Sequence, residues 1–395
     1  MTDSSSSIRR LLNNPWFIGG LVAIVIACIT WLSFSMEPRA FDPGGPKYTA
    51  YNNYLIFKYS FFHLAHYQDL YLYYPTEHWD LYKYTPTFSL WMFPFAYLPN
   101  GCGLLCWNLL NALVLFAALW KLPLPAPRPR WALMAFVLLE LITSVQNTQC
   151  NGLMAGLLVF AFIFLEKKKL ALGTLMIVIA VFIKPFAIVG LAMCIFYPGK
   201  IRSAIYTLCW TVLFLFLPLV VISFSQLIFL YKQWFHLLQT DHGASIGLSV
   251  AGWMKSWFEI DLKNTTIIMG GILLCLPLLK IRAYKDFLFR LFFLSSVLIW
   301  VVIFNYKAES PTFIIAITGV AVWIFSQSPK TVNIILLILV YVFTILSPTD
   351  LFPRNLRDHY VIPYVLKAVP CILVWIKLMV DMVFYKPVSD NSHPV

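Results

Sequence analysis

Charge is what this sequence has least of. Asp, Glu, Lys and Arg make up 12% of its 395 residues, about half of what a soluble domain carries. Sixty per cent of the chain is hydrophobic and 17% aromatic, too much apolar surface for one water-facing globule to bury. The eight cysteines (28, 102, 106, 150, 194, 209, 275 and 371) lie within or beside apolar runs and lack any CxxC-type spacing. That pattern argues against a zinc site or a disulfide framework and for small core residues. No soluble domain and no matching halves of the transporter kind are visible. The net charge of +12 is dealt out in small clusters between apolar runs rather than along one face. Such spacing argues against a nucleic-acid partner and for the positive-inside pattern of membrane loops. An all-α polytopic membrane protein follows, a single integral domain over 1–395.

Acidic residues are scarcer still, 17 in all, and five of them (Glu37, Asp42, Asp69, Glu77, Asp80) fall between Glu37 and Asn100. With Arg9 and Arg10 cytoplasmic, a first helix over 16–35 carries the chain outward, since about 20 apolar residues span a bilayer. It is too long and bulky for a cleaved signal and reads as retained. The loop 36–100 is then extracytoplasmic. Within it, Tyr51 to His66 has the spacing of an interfacial amphipathic helix. Thr85 to Pro99, short and broken by Pro86, Pro94 and Pro99, reads as a second interfacial helix rather than a span. The helical bundle follows over 101–384, with crossings at about 102–120, 131–147, 152–166, 170–182, 186–197, 204–223, 264–280, 287–304, 311–327, 331–347 and 361–384. Twelve crossings in total return the basic clusters, among them Lys121, Arg128, Arg130 and Lys167–Lys169, to the cytoplasm and leave a cytoplasmic tail over 385–395.

That topology strands four cations in short external turns: Lys184, Lys307, Arg354 and Arg357. Each singly can snorkel to headgroups or pair with an acid such as Glu309 or Asp358. Together they suggest one anionic ligand, a phosphate above all. The turn Gln146-Asn147-Thr148-Gln149-Cys150-Asn151 offers amides for sugar hydroxyls, with helix capping the alternative for Asn151. His78, His242 and His359 share the external side without metal-ligand spacing. Asn264-Thr265-Thr266 matches a glycosylation acceptor but reads as a helix cap. Tyr67, Tyr71, Tyr73, Tyr74, Trp79, Tyr82 and Tyr84 suit either ring stacking on sugars or an interfacial aromatic belt. Sugar transfer from an anionic carrier needs a base for the acceptor hydroxyl and positive charge for the departing phosphate. The external face supplies both residue types.

Leu70-Tyr71, the run Tyr82-Lys83-Tyr84-Thr85-Pro86-Thr87-Phe88, Pro94, Leu98-Pro99 and Trp107-Asn108-Leu109-Leu110-Asn111 together resemble a known family. So do Gln149-Cys150-Asn151 and Ile183-Lys184-Pro185-Phe186, with Ser310-Pro311 and Asp358-His359 looser matches. The resemblance is to the polyprenyl-phosphate-dependent glycosyltransferases of the GT-C superfamily, specifically the mannosyltransferase-like family GT87 (DUF2029). It implies a GT-C-like fold and a hexosyltransferase that takes sugar from a polyprenyl-phosphate carrier on the external side. The acceptor would be a glycan or glycolipid, membrane lipids would surround the enzyme, and no cofactor or metal is called for. The family places an acid early in the first loop, and counting back from Tyr71 reaches Asn53, whose amide cannot act as a base. A nearby carboxylate then takes the role, Asp80 or Glu77 ahead of Asp69, with Asn53 orienting the acceptor. The anion-binding set is Lys184, Lys307, Arg354, Arg357 and His359, and Gln149, Asn151 and Tyr84 contact substrate. A transporter or flippase of an anionic lipid-linked sugar, or a carrier-binding homologue without activity, are the alternatives. The short loops fit a bacterial inner membrane.

Overall fold

A computed structural model describes residues 10–41, 43–125, 129–240, 247–328 and 330–387. Arg9, Asp42, Arg128, His242 and residues 388–395 lie outside the described residues. The chain is an all-α membrane protein. Helix α1 (Pro15–Ser35) starts where Asn14 accepts hydrogen bonds from Trp16 N and Phe17 N and Pro15 takes the first helical position. Together with α5 (Asn100–Lys121) and the stretch Lys200–Val220, it has the length and apolarity to cross a bilayer. The shorter apolar helices run over Asn151–Glu166, Leu170–Ile183, Pro185–Phe196, Asn264–Leu279, Phe287–Ile303, Ser310–Phe325 and Thr331–Leu346.

Between α1 and α5 the loop forms a two-residue ribbon, β1 (Arg39–Ala40) against β2 (Lys47–Tyr48), antiparallel with Arg39 opposite Tyr48. Helix α2 (Asn52–Ala65) follows, then α3 (Pro86–Trp91) and α4 (Phe93–Ala96). At 1.5 Å per residue, neither α3 nor α4 reaches across a membrane. Thr85 caps α3 by accepting from Phe88 N, and Pro94 opens α4, so the prolines divide the segment into two short turns of helix. One expectation is corrected here. Rather than lying on the surface with a polar face, α2 is buried along most of its length, with Tyr54 and Leu64 inaccessible and His63 4% exposed. His63 is absorbed by a stack on Tyr74 and a contact with Glu77, and Tyr54 by packing against α4 and α5, its hydroxyl sitting where a side chain on Gly103 would have to be.

The bundle continues with α6 (Arg130–Gln146), α7 (Asn151–Glu166), α8 (Leu170–Ile183) and a tight 3₁₀ segment at Pro185–Phe196. Then come α9 (Lys200–Phe216), α10 (Phe224–Thr240), α11 (Val250–Phe258) and α12 (Lys263–Cys275). The innermost pair is α13 (Phe287–Ile303) and α14 (Phe313–Phe325), whose residues are buried nearly all round. Gly319 lets α14 approach the Ser295 carbonyl of α13 so closely that a methyl group there would clash at 2.7 Å. Last come α15 (Thr331–Leu339) and α16 (Val369–Val383).

Two boundaries differ from the sequence reading. Helix α12 begins at Lys263 with Leu262 before it, so Asn264 sits inside the first turn and caps nothing. The final helix starts at Val369 rather than 361 because Val365 adopts a φ of 55°, a left-handed turn that interrupts the winding.

At one end of the bundle Glu166 receives both Arg290 Nε (2.6 Å) and Nη2 (2.9 Å) and the Tyr197 hydroxyl (2.6 Å). This bidentate contact ties α7, α13 and the chain after the 3₁₀ segment. At the opposite end of α7, the first loop meets the turns at 146–151, 184–185 and 305–312.

Candidate active site

Those turns enclose a cavity of about 540 Å³. Its floor is set by the start of α2. Asn52 is buried and grips the main chain of Trp79 twice, donating to the carbonyl (2.7 Å) and accepting from the amide (2.8 Å). That clamp holds the next residue, Asp80, at a φ of 77°, a conformation that Asp tolerates better than most side chains. The Asp80 carboxylate accepts from Leu81 N (2.7 Å), and Lys83 Nζ stands 3.1 Å from each of its oxygens. The buried His78 ring shares a hydrogen bond of 3.1 Å with the Asp80 carbonyl. Asn53, one step round α2 from the clamp, donates to the Asn147 carbonyl (2.9 Å) and lines the cavity.

The facing wall is cationic. Lys184 ends α8 in an extended conformation, as the residue before a proline must, and its Nζ donates to Asn151 Oδ1 at 2.7 Å. Asn151 in turn donates to the Pro311 carbonyl (3.0 Å). It is the first residue of α7 rather than its cap, which corrects the capping alternative. Lys307 lines the wall beside Glu309, whose side chain caps the turn Ser310–Thr312 while Thr312 Oγ1 answers to the Glu309 amide. Arg39 enters from the ribbon, its guanidinium over Phe41, and Phe41 stacks on Trp79 with ring centroids 4.9 Å apart. Tyr84 lies within 3.5 Å of Gln149 at the rim. Arg39, Lys83, Lys184 and Lys307 thus line one cavity together with Asp80 and Glu309.

The cavity gathers Asn53, Asp80, Tyr84, Gln149, Lys184 and Lys307 from the sequence candidates, with Asn151 directly behind Lys184. Others lie elsewhere. Glu77 Oε2 is 2.9 Å from His63 Nε2 in a separate, partly buried cluster, where burial raises the Glu77 carboxyl and lowers both His63 and His78. Asp69 accepts from Tyr71 N and serves its own turn. Arg354 and Arg357 line a different concavity of about 420 Å³ with Asp350, sharing no residue with the first. His359 lines neither space and bonds to the Asn355 carbonyl. The four cations are therefore two pairs at two places. Among the aromatics, Tyr71, Tyr74 and Tyr82 spend their hydroxyls on the carbonyls of Tyr84, Asp69 and Thr85 and scaffold the loop. Of the seven, only Trp79 and Tyr84 line the cavity.

Arg39, Asn52 and Lys83 escaped the sequence reading. A usable signal existed for the two cations, since both fall in the first loop, which the charge pattern predicts to be external, against the positive-inside bias. Asn52 had none, being a polar neighbour of Asn53 until the fold brought Trp79 to it.

Beside the cavity runs an apolar groove of about 460 Å³ between α8, α9 and α10, lined by Phe182, Leu215, Phe216, Leu227, Trp234 and Phe235 among others. Pro185 borders both spaces, and α10 supplies Trp234 and Phe235 to the groove and Leu237 and Leu238 to the cavity.

The family model of glycosyltransferase family 87 matches residues 82–348. The match takes in Lys83, Tyr84, Gln149, Lys184, Lys307 and Glu309, and begins just after Asp80. No curated protein matches the chain.

Proposed function

The chain belongs to glycosyltransferase family 87, and from that premise we propose that it moves a hexose, of the mannosyl type, from a polyprenyl-phosphate carrier to a hydroxyl of a glycan or glycolipid acceptor on the extracytoplasmic side of a bacterial inner membrane. The observation that carries the reading is the junction at Pro185, where an apolar groove fit for an isoprenoid tail opens beside a polar cavity with a cationic wall. A lipid-linked sugar phosphate has the same division into tail and head. The distribution of basic clusters between the apolar runs supports an outward-facing position for this end of the bundle.

Lys184 and Lys307 take the carrier phosphate, with Arg39 at the ribbon side. Their charge stabilises the phosphate as the bond between the sugar C1 and the phosphate oxygen breaks. Asp80 stands opposite as the base: it accepts the proton of the acceptor hydroxyl while that oxygen bonds to C1. Polyprenyl phosphate leaves, and the proton rests on Asp80 until solvent removes it. Asn53 and Gln149 hydrogen-bond sugar hydroxyls, and Trp79 and Tyr84 offer ring faces.

The test is transfer by purified protein from a panel of polyprenyl-phosphate sugars. Asp80→Asn keeps the backbone preference and removes the basic oxygen, so kcat is expected to fall by about a thousandfold, near the middle of what a general base contributes. Lys184→Ala is expected to raise the donor KM and lower kcat together. Transfer at the wild-type rate by Asp80→Asn assigns the base to Glu309. Binding of the carrier by the wild type without turnover on any donor marks a carrier-binding protein instead.

A further inference from the structure

Behind the cavity lining, α6 carries a glutamate that the reaction does not touch. Glu140 is fully buried, and Lys367, 4% exposed, reaches it with Nζ at 2.6 Å from Oε1. The same Nζ lies 2.8 Å from Ser310 Oγ and 5.2 Å from the centre of the Phe313 ring. Burying two charges costs several kcal/mol per ion, and apolar residues of similar size often stabilise a fold as well or better. This pair is not even fully satisfied, since Glu140 Oε2 is buried without a hydrogen bond. Stability alone is a poor reason for it.

Its contacts lead to the site. Ser310 opens the turn whose cap, Glu309, lines the cavity, and Lys307 lies just before. The next residue, Pro311, accepts from Asn151, and Asn151 accepts from Lys184. Glu140, Lys367, the 310–311 turn, Asn151 and Lys184 are thus joined link by link from the bundle interior to the cationic wall. The chain makes a left-handed turn at Val365, two residues before Lys367, and Thr344 holds the Lys367 carbonyl at 2.8 Å. A β-branched residue in that conformation is strained, and strain of this kind persists where the surroundings hold it.

We propose that Glu140 and Lys367 are positioning residues for the phosphate side of the cavity: they fix the 305–312 turn, and with it the separation of Lys307 and Glu309 from Lys184. The inference rests on the reading of that wall as the carrier-phosphate site, and the experiment separates the two. The double variant Glu140→Leu/Lys367→Met removes both charges together and avoids an unpaired buried ion; Ser310→Ala cuts the tether and leaves the pair intact. Three quantities are measured for each, with Lys184→Ala as reference: thermal unfolding in detergent, amide exchange over 305–312, and affinity for decaprenyl phosphate.

The double variant is expected to melt no lower than the wild type, to exchange faster over 305–312, and to bind decaprenyl phosphate roughly tenfold more weakly. Ser310→Ala should shift exchange and affinity in the same direction, and it decides alone if the double variant does not fold. Unchanged exchange over 305–312 in the folded variants overturns the proposal and leaves the pair a fold staple. So does unchanged affinity where Lys184→Ala binds weakly. If exchange rises while Lys184→Ala binds like the wild type, the carrier-phosphate reading falls and the positioning of the turn stands.

Discussion

Asp80 and Glu77 are three residues apart in the sequence and live in different chemical surroundings. Asp80 opens onto the cavity, with Lys83 straddling its oxygens, whereas Glu77 is turned inward against His63. What separates them is Asn52, whose side chain pins the peptide between them. Asn52→Leu removes two buried hydrogen bonds and is expected to cost about 2 kcal/mol of stability. Releasing Asp80 should lower kcat by about a hundredfold, the scale of an ångström-sized misplacement; melting and transfer rates on one preparation check both. The histidine cluster makes a separate prediction. Burial, with His66 adding to it, lowers His63 to about 4, and burial also lowers His78, against about 6.5 in an unfolded chain. Both imidazoles are then neutral when folded, so the unfolded chain gains protons first as pH falls from about 6.5 towards 4, and stability is lost over that window. Glu77, raised by burial, contributes with the opposite sign, but two histidines outweigh one carboxyl. Melting temperature is expected to drop between about pH 7 and pH 5, and His63→Gln to flatten the slope.

At the scale of elements, the first loop is less a surface appendage than a lid built into the bundle. Helix α2 was legible as a helix from its apolar spacing, yet its burial was not, because the histidines and tyrosines that suggest an interface are also those that close-packed helices can satisfy internally. The prolines at 86 and 94 were decisive in the sequence and in the fold alike, since each lacks a backbone donor and sits in the first turn of a short helix, so the segment is divided before it could span. Helix α10 carries the next prediction. Its Phe235 is 56% exposed and lines the apolar groove, so Phe235→Glu should fold normally. It places a charge where an isoprenoid tail would lie. The KM for a long-chain donor is expected to rise about tenfold or more, while that for a truncated, two-isoprene donor stays unchanged; equal effects on both would remove the groove from donor binding.

For the whole molecule, orientation is the property that charge alone predicts. The cavity end of α7 and the Lys167–Lys169 end are separated by the 16 residues of the helix, about 24 Å. In a background without exposed cysteines, Gln146→Cys at the cavity rim is expected to react with a membrane-impermeant maleimide on intact cells. Lys168→Cys should react only after lysis. The reverse pattern would turn the active site towards the cytoplasm.

The sequence by itself determined that this chain is helical and lives in a membrane, because apolar runs have nowhere else to go and prolines mark where they stop. It also carried the family resemblance, in motifs around Tyr84, Gln149 and Lys184 that a linear pattern can hold. Only the tertiary structure decided which polar residues share a space. Lys184 and Lys307 line one cavity while Arg354 and Arg357 line another, and Glu140 finds Lys367 across 227 residues of chain. In each case the outcome depends on how helices pack and where a turn reverses, and no local pattern of side chains encodes such distances.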